Sequence, residues 1–141
     1  KDDFTTVSSA FSTSDWMDAM ATDGNDNWVG AGQYAMKYSD DDGSTWNNIA
    51  LRASGDTAQI NITYDSNILN IGNKFVYLDR GNKKLLSIST SLSASPTVTV
   101  EKDFTDNSAT SSPLAINKIG NKLYVTDYYN SQYGYHKINI T

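Results

Sequence analysis

The sequence predicts an all-β fold built from repeated units, and three observations lead to this prediction. First, the acidic residues are almost all aspartate, with Glu101 as the only glutamate, and aspartate favours turns and caps rather than helix interiors. Second, short runs of alternating apolar and polar residues recur between clusters of glycine, asparagine, aspartate and serine, which is typical of short strands. Third, part of the sequence is repeated within the chain.

Composition narrows the classes of function before any motif is considered. The chain has 141 residues, which predicts one domain over residues 1–141. It contains no cysteine, so disulfides and cysteine-ligated metal sites are excluded. A net charge of −5 argues against nucleic-acid binding by phosphate neutralisation. No apolar run is long enough to cross a bilayer, so no membrane insertion is expected.

The strands follow from the period-two alternation of the sequence. Residues 14–21 carry the best helical pattern, but the stretch is short and predicts one helical turn or a strand. The glycines at 30 and 32 divide residues 28–39 into two short strands. Further strands are predicted over residues 58–64, 74–79, 84–90, 96–104, 122–129 and 133–141.

The internal repeat defines the architecture. "NIGNKFVYLD" (residues 70–79) matches "KIGNKLYVTD" (residues 118–127) at an offset of 48, and residues 23–32 carry a looser copy. The units are approximately 1–56, 57–104 and 105–141. A repeat of about 40–50 residues containing about four short strands is the signature of a β-propeller blade. The alternative is a β-sandwich with one chance duplication.

Three blades do not close a propeller, because propellers have about 4–8 blades. Open blade faces would leave large apolar surfaces in water, which single folded chains avoid. The prediction is therefore a partial propeller, or a ring completed by other segments of a longer chain or by further copies in a homo-oligomer. Two copies would give six blades. A different repeat architecture that needs no closure is the remaining alternative.

One turn carries a recognisable motif. In "YSDDDGSTW", Ser39, Asp41, Gly43, Thr45 and Trp46 resemble the Asp-box of the BNR repeats in sialidases and other β-propellers. A carboxylate at the second position can accept backbone N–H bonds across the turn, and the glycine allows a positive φ angle. The resemblance implies that these five residues hold the outer edge of a blade together and take no part in catalysis.

A longer stretch resembles a second group of proteins. Residues 27–46, "NWVGAGQYAMKYSDDDGSTW", are similar to repeat units of bacteriophage tail and virion proteins. The resemblance implies a non-enzymatic module at a virion surface or in an extracellular protein, serving assembly or recognition of a host surface glycan or protein. One alternative is a fragment of a larger glycosidase-like or sialidase-like propeller whose catalytic residues lie elsewhere. Another is a purely structural decoration domain of a phage head or tail.

The residues argue against sialidase chemistry within this chain. Such enzymes use three arginines, a tyrosine–glutamate pair and an aspartate, whereas this chain has only Arg52 and Arg80. Glu101 lies in a strand-like run without a neighbouring tyrosine, and His136, the only histidine, occupies an ordinary strand position. The sequence therefore predicts no catalytic residues and no enzyme activity.

The three consecutive aspartates at 40–42 raise the question of a metal site. Calcium takes several oxygen ligands, often from alternating positions of one loop, and "DDDGSTWNN" lacks the EF-hand spacing and its terminal glutamate. The prediction is a solvated turn in which Asp40 and Asp42 face water, with no metal site and no cofactor. A weak surface calcium site is the alternative.

The tyrosines of the third unit are the candidate binding residues. Tyr128, Tyr129, Tyr133 and Tyr135 crowd residues 127–135, a stretch that is long for a hairpin loop and overlaps the ends of the strands predicted over 122–129 and 133–141. Tyrosine combines an apolar ring with a polar hydroxyl, which suits glycan and protein interfaces, and recognition residues concentrate on loops. Trp28, Trp46 and Tyr124 are predicted instead to fill the space between blades.

Overall fold

The structure, a computed structural model, describes residues 17–32, 35–50, 52–55, 59–60, 67–92, 96–105, 112–129 and 131–140. This part of the chain is all-β, with eleven strands in three antiparallel sheets and almost no helix. Over the same residues, no helix has the length and hydropathy needed to span a membrane. The strands are β1 (Ala19–Thr22), β2 (Trp28–Ala31), β3 (Met36–Ser39), β4 (Asn47–Asn48), β5 (Ile68–Asn70), β6 (Lys74–Asp79), β7 (Lys84–Ser89), β8 (Thr99–Asp103), β9 (Ser112–Ile119), β10 (Lys122–Tyr129) and β11 (Gln132–Asn139).

Each sheet is formed from strands that are consecutive in the chain. The first sheet has the order β1-β2-β3-β4, the second β5-β6-β7-β8, and the third β9-β10-β11, with antiparallel pairing throughout. Each sheet lies within one of the three repeat units. The repeated Gly-Asn pairs lead directly into β6 and β10, and Gly72 and Gly120 have φ angles of 103° and 57°, which glycine adopts without steric cost. Among the described residues, no sheet closes on itself.

The second sheet lies between the other two, and both of its faces are covered. Successive side chains of a strand point to opposite faces, and β6 is apolar at consecutive positions. Phe75 and Tyr77 pack against the first sheet, whereas Val76 and Leu78 pack against the third. All four side chains are buried, as expected for a strand in a middle layer.

Two separate hydrophobic cores result from this stacking. The first core joins the first and second sheets through Val29, Ala31, Met36, Tyr38, Ile49, Ala53, Ile60, Ile68, Phe75, Tyr77, Leu86, Ile88 and Val98. The second core joins the second and third sheets through Val76, Leu78, Leu85, Phe104, Ile116, Leu123 and Val125. The first strands of the sheets are neighbours, since β5 contacts both β1 and β9.

The structure differs from the predicted elements mainly in the third sheet. β9 was not predicted, and within the described residues the third sheet has three strands instead of four. Residues 14–16 lie outside the described part, and residues 17–21 include most of β1, so the strand alternative holds for this stretch. The strand predicted over residues 58–64 falls almost entirely outside the described residues. The clearest error concerns residues 127–135, which are not a long loop.

Candidate functional site

The tyrosines of the third unit lie on strands β10 and β11, which form one long hairpin. Eight cross-strand pairs run from Lys122 opposite Asn139 to Tyr129 opposite Gln132, so only a tight turn connects the strands. Ser131 in this turn has a φ angle of 63°, a left-handed conformation that hairpin turns require. The predicted loop is wrong because cross-strand tyrosine pairing continues to the end of the hairpin.

Four tyrosines share the outward face of the third sheet, on the side away from the second sheet. In the register of the hairpin, Tyr128 is opposite Tyr133, and Tyr135 is opposite Thr126. The ring centroids of Tyr128 and Tyr133 are 5.0 Å apart, and those of Tyr124 and Tyr135 are 5.7 Å apart. These distances are typical of favourable aromatic pairs. We call this surface the tyrosine face; it consists of Ile119, Tyr124, Tyr128, Tyr133 and Tyr135.

The tyrosine face exposes much of its apolar area to solvent. Tyr133 is 82% exposed, Tyr135 67% and Tyr128 38%, and Ile119 at the adjoining end of β9 is 65% exposed. Of the four predicted binding residues, the structure therefore brings Tyr128, Tyr133 and Tyr135 together. The side chain of Tyr129 lies outside the described part of the structure.

Tyr124 was assigned to the space between blades, whereas the structure places it half-buried on the tyrosine face. The signal that identifies it is the spacing of "KLYVTDYY". Residues 124, 126 and 128 alternate with the buried Leu123 and Val125 and so belong to the opposite face. Ile119 joins this face because it pairs with Lys122 across the β9–β10 turn.

The internal repeat shows which surface of the second sheet corresponds to the tyrosine face. At the offset of 48, Val76 corresponds to Tyr124, and Leu78 corresponds to Thr126. In the second sheet, Val76 and Leu78 are buried against the third sheet. The tyrosine face therefore occupies the position of a packed interface, but no further sheet covers it among the described residues.

The opposite face of the third sheet carries a buried aspartate that joins its three strands. Asp127 Oδ1 accepts a hydrogen bond of 2.7 Å from the Ser112 N–H, and its Oδ2 lies 2.8 Å from His136 Nε2. The imidazole packs against Phe104, with ring centroids 4.9 Å apart. The Asp127 side chain is only 6% exposed and is bonded to residues on both neighbouring strands. The Asp127–His136 pair therefore joins strands of the third sheet.

The turn from Ser39 to Trp46 joins β3 to β4 and is closed by its own side chains. Asp41 Oδ1 accepts bonds from the Thr45 N–H and the Ser39 hydroxyl, at 2.8 and 2.7 Å. Asp41 Oδ2 accepts a bond of 2.7 Å from the Thr45 hydroxyl. Gly43 has a φ angle of 80°, and its carbonyl accepts a bond of 3.0 Å from the Trp46 indole N–H.

The other two aspartates of the turn differ from each other. Both are exposed, in agreement with the solvated turn, but Asp42 also accepts a bond of 3.0 Å from the Trp28 indole N–H. Asp42 also adopts a φ angle of 54° and donates its backbone N–H to the Asp26 carbonyl. Asp42 thus faces water as predicted, and it also ties the turn to β2.

The hydrogen bonds to Asp41 also set its ionisation. The Thr45 hydroxyl and N–H, followed by the Ser39 hydroxyl, hold the pKa of the Asp41 carboxyl below its usual value, because each bond stabilises the charged form. The described residues contain no group of three or more histidine, cysteine, aspartate or glutamate side chains that could hold a metal ion. The carboxylate of Asp41 accepts its hydrogen bonds from Ser39 and Thr45 of the same turn.

Replacing Ser39 with alanine tests the role of this turn. The Ser39 hydroxyl is fully buried and accepts bonds from the Gly43 and Asp41 N–H groups, at 2.8 and 3.3 Å. Its removal leaves those donors without this acceptor, and we expect the free energy of unfolding to fall by about 1–3 kcal/mol. Urea denaturation measures this change.

The matched control for that variant is Ser44→Ala. Ser44 lies in the same turn and is exposed, so its truncation is expected to leave the stability within about 0.5 kcal/mol of the parent protein. Equal effects of the two substitutions would contradict a specific role for the Ser39 hydroxyl.

A polar cleft of about 460 Å³ lies along the second sheet, over Lys74, Ser87, Thr99 and Glu101. Glu101 Oε1 accepts bonds from Lys74 Nζ at 2.7 Å and from the Ser87 hydroxyl at 2.6 Å. Partial burial raises the pKa of the Glu101 carboxyl, but these bonds and the Lys74 charge outweigh it, so the pKa lies below its usual value. The only glutamate is thus an ionised partner of Lys74.

No protein-family model matches the chain, and the curated proteins contain no match to it.

Proposed function

We propose that this chain is a non-enzymatic β-propeller-type module of a virion or extracellular protein, which serves assembly or the recognition of a host surface glycan or protein. The observation that carries the proposal is the tyrosine face. It combines paired tyrosine rings with high exposure, and tyrosine is enriched in interfaces because its ring is apolar and its hydroxyl is polar.

The arrangement of the sheets supports the propeller part of the proposal. Consecutive antiparallel strands form each sheet, the sheets stack face to face, and their first strands β1, β5 and β9 are neighbours. In a propeller, the first strand of each blade lies nearest the central axis. The turn from Ser39 to Trp46 follows the third strand of the first sheet, on the side away from those first strands, which would be the outer edge of a propeller blade.

Three acidic side chains are already hydrogen-bonded to neighbouring residues, which supports a non-enzymatic role. Glu101 is bonded to Lys74 and Ser87, Asp127 to Ser112 and His136, and Asp41 to Ser39 and Thr45. A general acid or base must reach a substrate proton, whereas these carboxylates are committed to local contacts. The tyrosine face instead offers aromatic surface, which serves binding.

Four measurements together test the proposal: sedimentation equilibrium, a glycan array, a cell-surface binding assay and a turnover assay. We expect either self-association or binding to a glycan or cell-surface protein, and we expect Tyr133→Ala combined with Tyr135→Ala to weaken it at least tenfold. Ser44→Ala, on the turn of the first sheet, is the control that should leave binding unchanged. Turnover of sialosides or other oligosaccharides, or the absence of both association and binding, would overturn the proposal.

A further inference from the structure

We propose that the tyrosine face of one copy packs on the outward face of the first sheet in a second copy, so that two chains complete a closed ring of six sheets. This inference rests on the proposed β-propeller-type function and assigns that function a partner, namely a second copy of the chain. The contact forms twice, because each copy contributes one face of each kind.

The distribution of exposed apolar side chains is the first step. Among the described residues, the exposed large hydrophobic side chains are Met20, Ile119, Tyr128, Tyr133 and Tyr135. Met20 lies on the outward face of the first sheet, opposite Gly30, and the other four belong to the tyrosine face. The apolar surface left in contact with water is therefore concentrated at the two ends of the stack, while the interfaces between sheets are buried.

The second step is that the two faces of each sheet are distinct and stack in a fixed direction. At the offset of 48, Phe75 and Tyr77 correspond to Leu123 and Val125, and both pairs face the preceding sheet. Each sheet thus has a back face, which packs on the sheet before it, and a front face, which packs on the sheet after it. The tyrosine face is the front face of the third sheet.

Among the described residues no sheet precedes the first one, and its outward face is its back face. A Cβ atom placed on Gly30 would lie 3.3 Å from Met17 Sδ, 3.7 Å from Met20 Cγ and 3.7 Å from Trp46 Cζ3. These side chains therefore gather over Gly30, and we call their surface the methionine face. It consists of Met17, Met20, Gly30 and Trp46.

The chemistry of the two end faces is complementary. Methionine sulfur makes favourable contacts with aromatic rings and adapts to irregular surfaces, and tyrosine and tryptophan are the aromatic residues enriched in interfaces. Stacking a front face on a back face also repeats the two contacts already present within the chain. Two copies supply six sheets, within the range of about 4–8 blades at which propellers close.

Cysteine cross-linking tests the contact, because the chain contains no cysteine of its own. Two single variants of the full chain are prepared, Tyr135→Cys and Met20→Cys, each with its side chain exposed. Circular dichroism and unfolding curves confirm that both variants fold. Each variant alone, and an equal mixture of both, is treated with a short bis-maleimide at a concentration where unrelated proteins do not cross-link.

The proposal predicts a covalent dimer in the mixture and at least tenfold less dimer from either variant alone. Tyr135→Cys cross-linked mainly to itself would mean that like faces meet, and it would overturn the proposal. No cross-linking in the mixture, with monomeric mass for the parent chain, would overturn it too. If the monomer nevertheless bound a glycan through the tyrosine face, this inference would fail while the proposed function stood.

Discussion

Replacement of Phe75 by alanine is expected to lower the free energy of unfolding by about 3–5 kcal/mol, which is the usual cost of removing a fully buried phenylalanine. Phe75 is completely inaccessible to solvent and belongs to the core between the first and second sheets. Its ring lies in a middle layer that packs on both sides, so the neighbouring backbone has little freedom to close the cavity. Urea denaturation followed by linear extrapolation measures the change.

Tyr77→Phe is the matched control, since Tyr77 follows on the same strand and the same face. The Tyr77 hydroxyl is buried without a hydrogen-bond partner among the described groups, and burial, together with the charge of Asp79, raises the pKa of this phenol well above its usual value. Removing an unsatisfied polar group while keeping the ring should leave stability unchanged or increase it. A loss below about 1 kcal/mol for Phe75→Ala would contradict the packing of the first sheet on the second.

Asp127→Ala is expected to have the second largest effect, a loss of about 2–4 kcal/mol, because two part-buried hydrogen bonds to a carboxylate are lost together. The Ser112 N–H loses its acceptor, and the His136 imidazole loses the carboxylate at 2.8 Å. Both contacts join β10 to its neighbouring strands, so the third sheet should loosen as a whole. Amide hydrogen exchange along β9 to β11 would show which strands lose protection.

Asp127→Asn is the control, because it keeps the shape of the side chain and part of its hydrogen bonding. The asparagine side chain retains an oxygen that can accept the Ser112 N–H and an amide group facing His136. We expect it to lose less than half as much stability as the alanine variant. If the two substitutions destabilised the protein equally, the hydrogen bonds of Asp127 would not be the source of its contribution.

Strand positions in the middle of each repeat could be predicted from the sequence. The runs at residues 74–79 and 122–129 coincide with β6 and β10, because β-branched and aromatic residues follow directly on a glycine-containing turn. β9 was missed because it contains Pro113 and few β-branched residues. The structure places Pro113 in the first strand of the third sheet, beside the register shift between Thr126 and Asp127, where a missing N–H donor is tolerated.

The tyrosine face could be predicted only in part. The chemistry of Tyr128, Tyr133 and Tyr135 predicts a binding surface, but Asp127, Ser131 and Gly134 all favour turns and hide the strands in this stretch. Tertiary contacts decided otherwise: Asp127 bonds to His136 and Ser112 on the inner face, and the tyrosines pair on the outer face. The bonds of the Ser39–Trp46 turn are local, which explains why its sequence alone described that turn well.

Sedimentation equilibrium of the unmodified chain tests the central claim, that the two end faces of the stack bind each other, most directly. The account predicts a mass that approaches twice the 15.5 kDa of one chain as the concentration rises, and a return to the mass of one chain when Tyr133 and Tyr135 are both replaced by alanine. The mass of a single chain at every concentration at which the protein stays soluble would contradict it.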